Sequence, residues 1–118
     1  MQPWGHHLIL DVKGCQLDRA KDPEYIKHFV KDLVRLIEMV PYGEPQMTHF
    51  AAGTNKAGWT VIQLIETSNI IGHFLDVSGD LYLDVFSCKD FEAEVVTKAV
   101  YDYFRPEAVR RRRLWRSA

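Results

Sequence analysis

An α+β fold, a two-layer α/β sandwich with a mainly antiparallel sheet and two helices on one face, is what this sequence predicts. Three observations carry that expectation. Apolar residues recur at three- and four-residue spacing in two segments, they alternate with polar residues in the stretch between those segments, and turn-forming residues punctuate the alternation. With 118 residues, 47% of them apolar and 26% charged, the chain has the composition of an ordinary globular protein and suits one domain, 1–118, around one core.

The elements follow in order. His7 to Val12, HLILDV, is a β-rich run closed by Gly14, hence a first strand. Asp22-Pro23-Glu24 starts a helix, with a capping side chain, a proline at the first helical position and an acid near the positive end of the dipole. Its stripe of Ile26, Phe29, Val30, Leu33, Ile37 and Val40 predicts a helix to about Val40, stopped by Pro41 and Gly43, with Lys27, Lys31 and Arg35 facing water. The period then changes to two, which predicts strands over Gln46 to Ala52, Trp59 to Glu66, Asn69 to Leu75 and Leu81 to Ser87. The turns between them fall at Gly53 to Gly58, Thr67-Ser68 and Val77 to Asp80. Asp90 caps a second helix with Phe91, Val95, Ala99 and Tyr103 as its i, i+4 stripe, ending before Pro106. Ala108 to Trp115 is the last strand, giving the order β-α-β-β-β-β-α-β.

Charge and composition exclude several classes of function. A net charge of −1 creates no global attraction to nucleic acid or anionic membrane. No apolar run reaches the ~20 residues of a membrane span, and MQPWGHH lacks the regions of a signal peptide, so a cytoplasmic protein without a membrane partner is expected. Two cysteines, Cys15 and Cys88, make no disulfide framework. His28, His49, His73 and Cys88 have no metal-ligand spacing, and no metal is expected. Arg110 to Arg113 with Arg116 could grip phosphates as a nucleic-acid binder does. Apolar residues flank the run, however, and a charged edge strand or basic tail is the reading preferred.

The stretch from Glu66 to Cys88, ETSNIIGHFLDVSGDLYLDVFSC, holds the residues that carry chemistry. Ser68 falls in a turn, where a hydroxyl can attack the preceding carbonyl if the backbone is strained. Alone it is an ordinary hydrogen-bonding turn residue. His73 titrates near neutral pH and can handle protons, although a strand histidine is commonly structural. Cys88 ends a strand, where a thiol can donate a proton or simply pack as a small apolar side chain. Thr60 lies eight residues before Ser68.

Ser68 to His73 is five residues and His73 to Cys88 fifteen. With the closing D-V-F-S-C and the opening Gly5-His6-His7-Leu8, this pattern resembles the small prokaryotic S-adenosylmethionine decarboxylases over roughly residues 5 to 104. The resemblance implies self-cleavage at Thr67-Ser68, with Ser68 becoming a pyruvoyl cofactor. It implies further that His73 assists processing, that Thr60 hydrogen-bonds within the processing site, and that Cys88 protonates the carbanion left by decarboxylation. S-adenosylmethionine as substrate, polyamine (spermidine) synthesis as the pathway and a homodimer or higher homo-oligomer follow from the same likeness.

The chain departs from that family in two places. The family cleaves a Glu-Ser bond, whereas Thr67 precedes Ser68 here and Glu66 lies one position early. The family's H-T-x-P-E is His73-Phe74-Leu75-Asp76-Val77, without its terminal acid. Ornithine or arginine as substrate, and a homologue that never cleaves and serves as a binding or regulatory partner, are therefore the alternatives. A sulfonium with a flat adenine calls for aromatic faces and an acid. Phe50, Phe74 and Glu66 are the expected substrate contacts, with Trp59, Tyr82 and Phe86 as further aromatic candidates.

Overall fold

A computed structural model describes residues 2–118. Its elements are β1 (Gly5–Lys13), α1 (Leu17–Ala20), α2 (Pro23–Leu36), β2 (Pro41–Phe50), β3 (Gly58–Ile65), β4 (Ser68–Leu75), β5 (Leu81–Ser87), α3 (Ala93–Phe104) and β6 (Ala108–Arg116). The strands form one six-stranded sheet in the order β2-β3-β4-β5-β1-β6, and every neighbouring pair is antiparallel. The predicted class and order stand, with one addition: α1, a single turn whose Ala20 is buried.

Helix α2 starts as its sequence dictates, the Asp22 carboxylate accepting the N–H groups of Glu24 at 3.0 Å and Tyr25 at 3.3 Å. It ends four residues before Val40. Glu38 takes a left-handed φ of 58°, and the N–H groups of Glu38 and Met39 bond back to the carbonyls of Arg35 and Val34. This is a Schellman closure without its usual glycine. It frees Pro41 to open β2 rather than merely to stop the helix. Gly43 then takes a φ of 73° inside a register shift between Tyr42 and Gln46, and Pro45 is tolerated because β2 is an edge strand.

Helix α3 departs more from expectation. Asp90 does not cap it: its carboxylate accepts the N–H of Phe91 at 3.0 Å, and Glu92 occupies the N-cap without a side-chain bond. The later start rotates the buried stripe to Ala93, Val96, Ala99, Val100 and Phe104, leaving Val95 and Tyr103 partly buried at its flanks.

One sheet face is covered and the other is open. Leu8, Leu10, Val61, Ile70, Phe74, Leu81, Leu83 and Val85 are buried against the apolar stripes of α2 and α3. Phe29 and Phe74 meet Phe104 at ring distances of 4.9 Å and 5.1 Å. The alternate residues, among them His7, Ile9, Ile62, Leu64, Asn69, Ile71, His73, Tyr82, Asp84 and Phe86, point away from the helices by the period of two.

Candidate functional site

The β3–β4 hairpin brings the first part of the site together. Its two turn residues are Glu66 and Thr67, not Thr67 and Ser68, because Ser68 already pairs with Ile65 and with Ser87. Ser68 has a φ of 158°, near full extension, so no left-handed strain is stored there. Three elements anchor the turn. The Glu66 N–H donates to the Val40 carbonyl at 2.9 Å, and the Cys88 N–H donates to the Thr67 carbonyl at 3.0 Å. The Ser87 hydroxyl donates to the Thr67 hydroxyl at 2.7 Å, which in turn meets the Met39 sulfur at 3.4 Å.

The carbonyl of Thr67, the group that Ser68 would attack, thus accepts a fixed hydrogen bond from the backbone of Cys88. Ser87 is wholly buried and Cys88 is exposed. Cys88 lies on the rim of an open cleft of about 1310 Å³ lined by Trp4, Phe86, Trp115 and Arg116. The Arg116 guanidinium covers the Phe86 ring at 4.8 Å, and Trp4 and Trp115 are half-exposed. Beside Phe86 on the open face, His7 Nε2 meets the Asp84 carboxylate at 3.0 Å. His6, on the covered face, is stacked between Phe91 at 4.3 Å and Trp115 at 4.2 Å. Burial, reinforced by Arg113 and only partly opposed by Asp90, holds its imidazole below the ordinary histidine value.

The second part lies at the other end of β4. His73 Nδ1 and Thr60 Oγ1 are 3.0 Å apart on the open face, since Thr60 and His73 are register partners. A cleft of about 410 Å³ beside them is lined by Phe50, Lys56, Trp59 and Leu75. Phe50 is 54% exposed and free to meet a ligand, but Phe74 is 0% exposed. The expectation that Phe74 contacts substrate is therefore corrected: the strand period turns its ring into the core, and only the floor of this cleft touches it. Glu66 is exposed in the turn at the Ser68 end. Asp76 is drawn away from both parts to His49, 2.7 Å distant.

Five residues of strand separate Ser68 from His73, roughly 17 Å at ~3.4 Å per residue, and the odd spacing sets them on opposite faces. The structure thus joins Cys88 to the Thr67–Ser68 peptide through the Thr67 carbonyl and Thr60 to His73, and keeps the two groups apart within one chain. Trp4, Trp115, Arg116, Ser87, His7 and Asp84 are candidates that the sequence reading left out. The G-x-H-L start and the D-V-F-S-C end contain three of them, and the sheet register shows which ones meet. Cys15 is no candidate: burial, then the Asp80 carboxylate, push its thiol up to about 12. Among the described residues no three His, Cys, Asp or Glu side chains gather to hold a metal ion. No helix among them is long and apolar enough to cross a membrane.

Comparison with known proteins bears on the family and the fold. The family model described as S-adenosylmethionine decarboxylase matches residues 6–117. The S-adenosylmethionine decarboxylase proenzyme of Archaeoglobus fulgidus is 27% identical over 107 residues, which cover 90% of this chain and 91% of that protein. The proenzyme of Clostridium botulinum strain Hall is 26% identical over 84 residues, 71% of this chain and 68% of the relative. The crystal structure of the adenosylmethionine decarboxylase from Aquifex aeolicus superposes with a TM-score of 0.85 at 19% identity, covering 100% of this chain and 94% of that one. At that identity the superposition speaks for the fold.

Proposed function

The chain belongs to the S-adenosylmethionine decarboxylase family, and on that premise we propose that it cleaves itself at Thr67-Ser68 and decarboxylates S-adenosylmethionine for spermidine synthesis. The observation that carries this reading is the 3.0 Å bond from the Cys88 N–H to the Thr67 carbonyl. A pyruvoyl group derived from Ser68 fits the residues present, because the peptide that must break is held at its carbonyl and lies beside a free thiol. Such a ketone supplies an electron sink for the pair left when carbon dioxide departs.

The chain's own residues divide the work. The Cys88 N–H stabilises the negative charge that grows on the Thr67 oxygen as Ser68 attacks, as an oxyanion donor does. Cys88 Sγ, at the rim of the aromatic cleft, holds the proton returned to the substrate α-carbon. Trp4 offers a π face to a sulfonium or an adenine, whereas Trp115 is stacked on His6 and met by Arg113 and Phe86 has one face already occupied by Arg116.

His73, held by Thr60 at 3.0 Å, is the proton acceptor for Ser68, and its separation from Ser68 in one chain requires a second copy. The open sheet face carries Ile9, Ile62, Leu64, Ile71, Tyr82 and Phe86, an apolar surface of the kind that two copies bury between them. An antiparallel two-fold pairing there lays the His73 end of one sheet over the hairpin end of the other, so that the Thr60–His73 pair reaches the Thr67–Ser68 turn around the end of the sheet rather than through its open face. In this reading residues 1–118 act as one domain of a cytoplasmic homodimer.

Intact mass after purification tests the proposal. Two fragments divided at Thr67-Ser68, the later one beginning with a ketone in place of the serine amine, are expected. A chain that stays at full-length mass in every buffer would overturn it and favour a binding or regulatory homologue. Calorimetric titration with S-adenosylmethionine, ornithine and arginine then ranks the substrates. Binding of either amino acid without S-adenosylmethionine would refute the substrate assigned.

A further inference from the structure

The covered face of β5 is apolar at Leu81, Leu83 and Val85, yet the next position in that row is Ser87, which is 0% exposed. A buried hydroxyl is unfavourable unless bonded, and a β-branched apolar residue would suit the strand better. Both bonding directions of Ser87 are used. It donates to Thr67 Oγ1 at 2.7 Å and accepts the Lys89 N–H at 3.0 Å. Lys89 Nζ is in turn tied to the Glu38 carbonyl at 2.6 Å, beside the Met39 whose sulfur lies 3.4 Å from Thr67 Oγ1.

Thr67 is the acyl half of the peptide to be broken, and two consecutive residues of the β5 end grip it, Cys88 at the carbonyl and Ser87 at the side chain. One bond at the carbonyl oxygen leaves the peptide plane free to rock about that oxygen. The second, at the hydroxyl, ties the Thr67 side chain to β5 as well, so that the residue is held at two points and the carbonyl carbon keeps one orientation toward the next residue.

We infer that Ser87 is a positioning residue for self-cleavage, its hydroxyl locking Thr67 so that the scissile carbonyl is presented to Ser68 Oγ. This rests on the self-cleavage reading above and concerns its first step. In that step the bond from Ser68 Oγ to the Thr67 carbonyl carbon forms, the bond from that carbon to the Ser68 nitrogen breaks, and the hydroxyl proton ends on the freed amine, leaving an ester. In the second step the Ser68 α-proton is removed, the Cβ–Oγ bond breaks and Thr67 departs as a carboxylate. Water then replaces the nitrogen, which leaves as ammonia. Positioning by Ser87 acts on ester formation and not on elimination.

The test follows full-length wild type, Ser87→Ala and Ser87→Thr by intact mass over time, with and without hydroxylamine, which cuts an ester but not a peptide. Wild type is expected to split. Ser87→Ala should split about tenfold more slowly, the rate equivalent of one net hydrogen bond, and hydroxylamine should not raise its yield because ester formation, not elimination, is then the slow step. Ser87→Thr, which keeps the hydroxyl, should recover most of the rate. A merely structural role would leave the hydroxylamine response like that of wild type. Equal splitting of wild type and Ser87→Ala, or an ester accumulating in Ser87→Ala, overturns the role of Ser87 alone. A wild type that never splits overturns the self-cleavage reading as well. If Ser87→Ala fails to fold, Thr67→Val removes the same bond from the other side: slow splitting with no gain from hydroxylamine supports the role, and wild-type splitting overturns it.

Discussion

Separate substitution of Ser68 and His73 gives the most discriminating result, because the proposed nucleophile and its proposed base lie where one chain cannot use both. Five strand residues put them roughly 17 Å apart and on opposite faces, whereas proton transfer needs a heavy-atom separation of about 3 Å. Neither Ser68→Ala nor His73→Ala should therefore split alone: the first lacks the hydroxyl, the second lacks the base in both halves of a dimer. Co-expressed in equal amounts, the two variants pair at random, and about half of all dimers are mixed. In a mixed dimer one of the two sites has both substitutions and the other has an intact Ser68 with an intact His73. About half of the His73→Ala chains should then split, and no Ser68→Ala chain should. Tags of different mass on the two chains let mass spectrometry count each product. Mixed dimers that purify together yet leave every His73→Ala chain whole would refute the shared site. Splitting of His73→Ala alone at the wild-type rate would show that His73 is not the base.

The remaining expectations concern single residues. Native protein treated with iodoacetamide should label Cys88, which is exposed, and spare Cys15, whose thiol is raised to about 12, until denaturant exposes it; equal labelling of both would contradict the packing of Cys15. The buried His6 is held below its ordinary value of 6.5, so the unfolded chain binds the proton more readily and stability should fall as pH drops below about 6.5 toward the folded value. His6→Phe should flatten the melting temperature over that window, and an unchanged slope would assign it to other groups. Phe74→Ala should lower unfolding stability by about 3–5 kcal/mol in denaturant titration, whereas Phe50→Ala should leave stability nearly unchanged and weaken ligand binding. The reverse pattern would return Phe74 to the site.

The elements whose limits are local were legible in the sequence, and those set by long-range contacts were not. Asp22-Pro23 marks the start of α2 by its own chemistry. Its end depends on Glu38 adopting a conformation that glycine usually supplies, and no residue there announces it. Asp90 looks like a cap, but the cross-strand position of Ser87 and Cys88 carries the chain past it before the helix can begin. The site depends on register in the same way. With the two-residue turn at Glu66-Thr67, Thr60 lies opposite His73. A turn at Thr67-Ser68 would instead set it opposite Leu75, so one residue of error at the hairpin exchanges the partner. Family spacing could name Ser68, His73, Cys88 and Thr60, but only the sheet shows that they fall into two separate pairs.

The same alternation explains the arginine run. Read as a linear string, Arg110 to Arg113 is a block of like charge of the kind that attracts phosphates. As strand β6 at the sheet edge, it divides into two faces. Arg111 turns toward α3, meeting the Glu94 carboxylate at 3.2 Å, and Arg113 lies against the Trp115 ring at 5.1 Å and the His6 ring nitrogen at 3.4 Å. Arg110 is the register partner of Asp11 and Arg112 that of Ile9, on the open face that also carries Asp84. The charge is thus halved on each side and opposed there by acids, which is not the continuous stripe that a phosphate backbone would need. What the arginines do provide is a hydrated outer edge that resists pairing with a further strand. The proposed mating of two copies is thereby left to the open face, which carries the Thr60–His73 half of the proposed site.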